Sequence, residues 1–428
     1  MASAGNGALP PAADGAPGPR LLYVLDRFPS YTLNFVYNEI EELEAAGYAI
    51  ELYSLLPSAT CPDEAKHYLA RTTNLRPLPL VDVLRAWLHY LVRRPLALLA
   101  VVFGLLADND SPRKTFKVMG HVVVAVYFAW RVRDRRVHLH AHFAFKACLA
   151  AHVAARLNRS TYSFTAHGSH TVVPAKQLSL RRKTRGAAFV LAISEYNRRT
   201  LLGLSPGYDP ARIVVSRCGV RLDQFPFVPR GQRSPGPARL ICIASFYAVK
   251  NHETLLAACA RLQARGVDFT LDLLGGDADG RRQHMRELAD SLGIGERVRF
   301  HGVVDHGEIQ RHLREADVAV LCSHNEGIPV SLMEAMAVGT PVLGPRVTGV
   351  PELVEEGVSG WLADPRRPEE FAAAIEAILA DPEETSRRVA EARKAVEARY
   401  DMTANSRGRA TLLRDLLARH AARRTTSA

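Results

Sequence analysis

The stretch His324-Asn325-Glu326-Gly327-Ile328-Pro329-Val330-Ser331-Leu332-Met333-Glu334-Ala335-Met336 holds the densest chemistry in this 428-residue chain. It follows an apolar run, Val318–Leu321, that reads as a strand, and it opens one that reads as a helix from Pro329 to Ala337. Proline fits a first helical position, where its missing N–H has no intrahelical partner to lose. Amides at Ile328, Val330 and Ser331 then face outward at the positive end of the helix, a ready place for a pyrophosphate. Glu326 stands just ahead of that helix and Glu334 two turns inside it. At 1.5 Å of rise per residue their backbones lie roughly 12 Å apart. A single ligand reaching both would be about as long as a nucleoside diphosphate sugar. The plain alternative for Glu334 is a solvated helix carboxylate, but two carboxylates around Gly327-Ile328-Pro329 favour a site.

Other residues carry weaker signals. Lys250 lies in a loop after the strand-like run Leu240–Ala244, where a lysine is a suitable point charge for phosphate. His167 follows the strand-like run Tyr162–Ala166, and strand ends are where α/β proteins place ligands, although a single histidine among sixteen is usually structural. His138, His140 and His142 alternate along another strand. A metal reading of that set fails for want of a further ligand from the motifs, so they read as structural or cleft-lining. Asp108-Asn109-Asp110 and Asp277-Ala278-Asp279 satisfy a DxD pattern that arises often by chance, and no metal requirement is expected.

The elements that must position these residues alternate strand and helix. Leu21–Leu25 and Ala49–Leu56 flank a helical pattern through Phe35, Ile40 and Leu43, which makes a βαβ unit. Val137–His142, Tyr162–Ala166 and Phe189–Ile193 continue the strands. Residues 226–237 crowd Pro226, Pro229, Gly231, Ser234, Pro235, Gly236 and Pro237, which is linker chemistry. Beyond it the rhythm restarts: strands at Leu240–Ala244, Phe269–Leu274, Val298–Phe300, Val318–Leu321 and Pro341–Gly344, helices at His252–Arg265 and Val304–Glu315. An α/β protein of two doubly wound halves follows. The expected organisation is a disordered tail over 1–20, a first domain over 21–225, a linker over 226–237, a second domain over 238–399 and a closing helical segment over 400–428.

Taken together, these motifs resemble the retaining glycosyltransferases of family 4, in the colanic acid and exopolysaccharide variant whose E-x7-E signature reads EGIPV. The similarity runs from about Leu21 to Tyr400. It implies the GT-B fold: two Rossmann-like domains facing across a cleft, with a C-terminal helix crossing back to the first. By this resemblance Glu326 contacts the transferred sugar, Glu334 the ribose hydroxyls, and Lys250 the diphosphate. Thr165-Ala166-His167-Gly168 matches the segment whose histidine bonds a sugar hydroxyl. Gly275-Gly276 resembles the turn beside the nucleotide, and His301, in Val298-Arg-Phe-His301-Gly302, the segment whose backbone reads the base. Ser245 stands where the family usually has an arginine. Ser30, Tyr31 and Thr32, in Phe28-Pro29-Ser30-Tyr31-Thr32-Leu33-Asn34 ahead of Asn38-Glu39, resemble an acceptor-side loop, and His142 is placed on the same side. The donor-binding set is therefore Ser245, Lys250, Gly275, Gly276, His301, Glu326, Gly327, Ile328, Val330, Ser331 and Glu334, with His167, Glu326 and Lys250 at the chemistry. The implied reaction moves a sugar from a nucleotide diphosphate sugar, as co-substrate and with no cofactor or metal, to a saccharide or lipid-linked saccharide. A nucleotide-sugar 2-epimerase of similar fold is the rival enzyme.

Composition bounds these readings. With 47% hydrophobic and 23% charged residues the chain buries a sizeable core, which excludes a wholly disordered or collagen-like protein. Its net charge of +11 suits anionic partners without choosing among them, and no nucleic-acid-binding motif accompanies it, so no nucleic acid partner is expected. Six scattered cysteines without CxxC spacing read as core residues in a reduced compartment. The longest apolar run, Leu96–Ala107, is too short to span a bilayer. Between Val81 and Ala129 apolar helices carry Arg and Lys. They read either as helices packed on a sheet with a solvated basic side, or as a surface resting on anionic lipid. The expected location is cytoplasmic, and on the second reading peripheral at the inner face of the plasma membrane.

Overall fold

A computed structural model describes residues 20–425 apart from 31–32, 59–60, 62, 109–111, 136, 169–178, 230–234 and 278. Residues 1–19 of the expected tail, Tyr31, Thr32, and part of the 226–237 linker lie outside the described residues, while Arg20, expected in the tail, opens the first strand.

Seven strands, β1 (Arg20–Arg27), β2 (Ala49–Leu56), β3 (Thr72–Asn74), β4 (His138–His142), β5 (Thr161–Ala166), β6 (Val190–Ala192) and β7 (Ile213–Val215), form one sheet in the order β3-β2-β1-β4-β5-β6-β7. Six more, β8 (Ala238–Ile243), β9 (Phe269–Leu274), β10 (Val298–Gly302), β11 (Val318–Val320), β12 (Val342–Pro345) and β13 (Trp361–Ala363), form a second in the order β10-β9-β8-β11-β12-β13. β1 pairs in parallel with β2 and β4, and β8 with β9 and β11. Strands covered by helices on both faces must be apolar throughout, and Leu21–Leu25 are all buried. In each sheet the strand order reverses beside the first strand, between β1 and β4 and between β8 and β11. Side chains and loops at the carboxyl ends of such a pair border a natural ligand crevice. The sequence reading missed β3, β7 and β13, each three residues long, where alternation has no room to show.

By their contacts the residues fall into two compact units: Met1–Thr165, Leu178–Val190 and Ser406–Ala428 make one, Ala166–Gln177 and Leu191–Asn405 the other. The closing segment is a helix, Met402–Thr425, whose later part belongs to the first unit. There Leu413 and Leu416 are buried, the Tyr48 hydroxyl donates to the Ala410 carbonyl at 2.8 Å, and Arg409 pairs with the buried Glu39 on the helix Asn34–Ala45.

Candidate active site

The second unit gathers the donor-side candidates at the carboxyl ends of β8, β9, β10 and β11. Lys250 closes a single 3-10 turn, Ala248–Lys250, after β8. Asn251 follows it in the left-handed conformation (φ 54°), which asparagine tolerates better than most residues. Its amide donates to the carbonyls of Cys322 (3.0 Å) and Pro365 (2.8 Å), and the His324 N–H donates to the Val249 carbonyl at 2.8 Å. The loop after β8 is thus tied to the loop after β11, across the point where the strand order reverses. The result is a direct contact: Lys250 Nζ lies 2.6 Å from Glu326 Oε1, with the carboxylate largely buried.

Glu326 is held in turn by Thr348, whose hydroxyl accepts from the Glu326 N–H at 3.1 Å and donates to the Glu326 carbonyl. The turn that follows is packed backbone to backbone. A Cβ at Gly349 would fall 1.7 Å from the Gly327 carbonyl oxygen; one at Gly327 would come within 2.9 Å of the Gly168 Cα and 2.7 Å of Ile193 Cδ1. Only glycine fits either place, and the same approach brings the buried His167, at the end of β5, beside the Gly327 turn. Thr348, Gly349 and Asn251 were not singled out from sequence. The Thr348-Gly349-Val350-Pro351 turn after β12 was the signal available for two of them.

The helix begins one residue later than expected. Pro329 is its N-cap, extended at φ −75° and ψ 117°, and Val330–Val338 is the helix. No side chain caps it, so the amides of its first turn are open to an anion. Glu334 sits in this helix at 7% exposure, which excludes the solvated-carboxylate reading. Among the described residues nothing donates to it, and burial pushes its pKa up to about 8.

Ser245, Gly275 and Gly276 share the next loops. The Gly275 N–H donates to the Gly302 carbonyl (2.7 Å) and the Phe246 N–H to the Gly276 carbonyl (2.8 Å). A Cβ at Gly275 would meet the Ala244 carbonyl oxygen at 2.2 Å. The His301 ring is engaged by its neighbours: Nε2 lies 2.6 Å from Asp272 Oδ1, and the ring packs against His312 with centroids 4.7 Å apart. Asp277, the first residue of one DxD pattern, accepts from the Arg281 N–H at 2.7 Å.

In the first unit, Ser30 binds Tyr37: its N–H donates to the Tyr37 hydroxyl (2.6 Å), which donates to the Ser30 carbonyl (2.7 Å). His142 is wholly buried, 3.4 Å from Glu39 Oε1, so the structural reading and not the cleft-lining one fits it. Contrary to the expectation from sequence, the Asn38-Glu39 motif does bring a further ligand to these histidines. Glu39 approaches both His140 and His142 closely enough for the three to hold a metal. That carboxylate is already engaged by Arg409 and by the Tyr23 hydroxyl at 2.7 Å. His138 lies outside that trio, bonded to Thr161 (2.8 Å) and to Ser163 (2.7 Å), whose hydroxyl also meets His140.

Residues 226–395 match the family described as glycosyl transferases group 1. This stretch is a group 1 glycosyl transferase domain. Over 184 residues, 41% of this chain and 43% of the relative, the sequence is 39% identical to the colanic acid biosynthesis glycosyltransferase WcaL of Salmonella typhimurium. It is 36% identical to the amylovoran biosynthesis glycosyltransferase AmsK of Erwinia amylovora over 197 residues, 44% of this chain and 46% of that one. The chain spans about half the length of the curated relatives it matches. Its fold is similar over a longer stretch to HepE of Anabaena, solved with UDP and glucose. There the TM-score is 0.68 at 16% identity, over 92% of this chain and 99% of that one. The group 1 domain thus sits on a GT-B fold of two Rossmann-like parallel sheets. Both relatives are named glycosyltransferases.

Proposed function

We propose that the chain is a retaining glycosyltransferase of exopolysaccharide assembly, moving a sugar from a nucleoside diphosphate sugar to a saccharide or lipid-linked saccharide at the inner face of the plasma membrane. The observation that carries this reading is the Lys250–Glu326 pair beside an uncapped helix end, at the reversal of strand order. Lys250 and the first-turn amides offer positive potential for the leaving diphosphate. Glu334, buried and without a donor, accepts ribose hydroxyls; Glu326 and His167 orient the sugar. UDP is the first donor base to try, since the similar HepE holds it.

On this reading the C1–O bond breaks with its electron pair passing to the diphosphate oxygen. The acceptor hydroxyl oxygen bonds C1 on the face just vacated, and its proton goes to the departing phosphate. The products are a glycoside of retained configuration and a nucleoside diphosphate. Stabilising the charge that develops on the leaving group is the main contribution of the site, with each well-placed donor worth about 3 kcal/mol. The lysine and helix amides fill the place of a metal here, so transfer is expected to survive chelation with EDTA.

The test is incubation with UDP-, GDP- and ADP-sugars, with and without a lipid-linked saccharide fraction, reading nucleoside diphosphate release. Acceptor-dependent release that Glu326→Gln abolishes supports the proposal. Isomerised donor without any acceptor would instead mark a 2-epimerase.

A further inference from the structure

Water-facing helix surfaces are normally polar, and two helices of the first unit break that rule. Leu80–Arg93 buries Val83, Ala86 and Tyr90, yet its opposite face shows Leu84, Leu88 and Leu91. Pro95–Ala107 buries Leu98, Val101 and Leu105, and shows Leu96, Leu99 and Phe103. Among the described residues, nine of the fourteen exposed large apolar side chains lie between 80 and 103, each 45–81% exposed. Both stripes follow helical spacing, so they are faces and not scattered residues. The chain turns by 113° between these helices, and neither is long enough to cross a membrane.

Beside the second stripe lies a cavity of about 380 Å³ lined by Arg156, Arg181, Arg182, Arg185, His152 and Asp108, with Ala100 and Val101 as its apolar wall. Ala100 is four residues from Leu96 and three from Phe103, so the cavity adjoins the apolar face. One carboxylate, Asp108, is present and pairs with Arg182 at 2.9 Å; Arg156 and Arg181 have no acidic partner among the described residues. Arg93 and Arg94, where the two helices meet, have none either. Residues 76–136 hold eleven Lys and Arg against four Asp and Glu, a net +7 of the chain's +11.

We infer that this corner is a docking surface for an anionic lipid bilayer: the leucine and phenylalanine stripes enter the interface, and the arginine-lined cavity takes a lipid phosphate. Charge complementarity selects this occupant. A second copy of the chain would set one positive surface against another, whereas an anionic leaflet neutralises both. The inference rests on the proposed reading only for its purpose, since lipid binding is measured apart from sugar transfer.

The experiment is flotation of the full chain with vesicles of phosphatidylcholine alone or mixed with phosphatidylglycerol, at low and high salt, with inorganic phosphate as a competitor arm. The expected result is binding to the anionic vesicles at least about 10-fold above the neutral ones, and weakened by salt. Leu88→Glu with Leu96→Glu removes vesicle binding, and Arg156→Glu with Arg181→Glu removes the anionic preference. All four sites are at the surface, and unchanged circular dichroism and UDP binding in the variants separate a lost membrane contact from a lost fold or donor site. Vesicle binding that these variants retain would overturn the inference. So would a wild-type dimer that Leu88→Glu with Leu96→Glu dissociates, without any vesicle binding, because a second copy would then cover the face. Displacement from vesicles by millimolar phosphate would show a free-anion site in place of a lipid one.

Discussion

Two carboxylates in one motif have opposite surroundings. Glu326 has Lys250 at 2.6 Å, whereas Glu334 has only burial, which pushes its pKa up to about 8. The unfolded chain gives up that proton near the ordinary glutamate value, so the folded state holds it over a wider range. Glu334 therefore favours folding fully below about pH 4.5, and loses that contribution as pH rises towards 8. Glu334→Gln, which cannot titrate, should gain stability relative to the parent across that window, read by thermal melts at several pH values. A constant difference from pH 5 to 9 would show that the carboxyl is solvated. Both glutamates and the lysine were legible from residue type and spacing. Their direct pairing was not, because it depends on how Asn251 ties one loop to the next strand end.

At the scale of elements, the closing helix is fastened by one buried ion pair. Burial alone would raise the pKa of Glu39, yet Arg409 and His142 hold it well below the usual carboxylate range. Removing one partner strands a charge: Arg409→Met should cost about 3–5 kcal/mol in denaturant unfolding, and adding Glu39→Gln should recover part of it. Equal losses in the single and double variants would mean that packing, not charge, carries the contact. The leucine spacing of residues 412–417 announced this helix, but nothing local marked Arg409 among so many arginines. Long buried strands were similarly plain, while the three-residue strands β3, β7 and β13 depend on neighbours distant in sequence. The helix Val330–Val338 starts one residue later than expected because Pro329 serves as its cap.

For the whole molecule, two parallel sheets with the same reversal of order beside the first strand give a fold on which many chemistries are built, so fold alone does not name the reaction. The proposed reaction rests instead on the group 1 match together with the residues gathered at the second sheet's reversal point. Of the +11 that reads from composition as diffuse, +7 falls within residues 76–136, the segment that also carries the exposed apolar helix faces. The most direct measurement is calorimetric titration of UDP, GDP and ADP into the intact chain and into Lys250→Met. One nucleoside diphosphate should bind per chain, with affinity lowered about 10- to 100-fold by Lys250→Met, the loss of one charged hydrogen bond. Equal affinity in the two proteins, or no binding of any of the three, would contradict it.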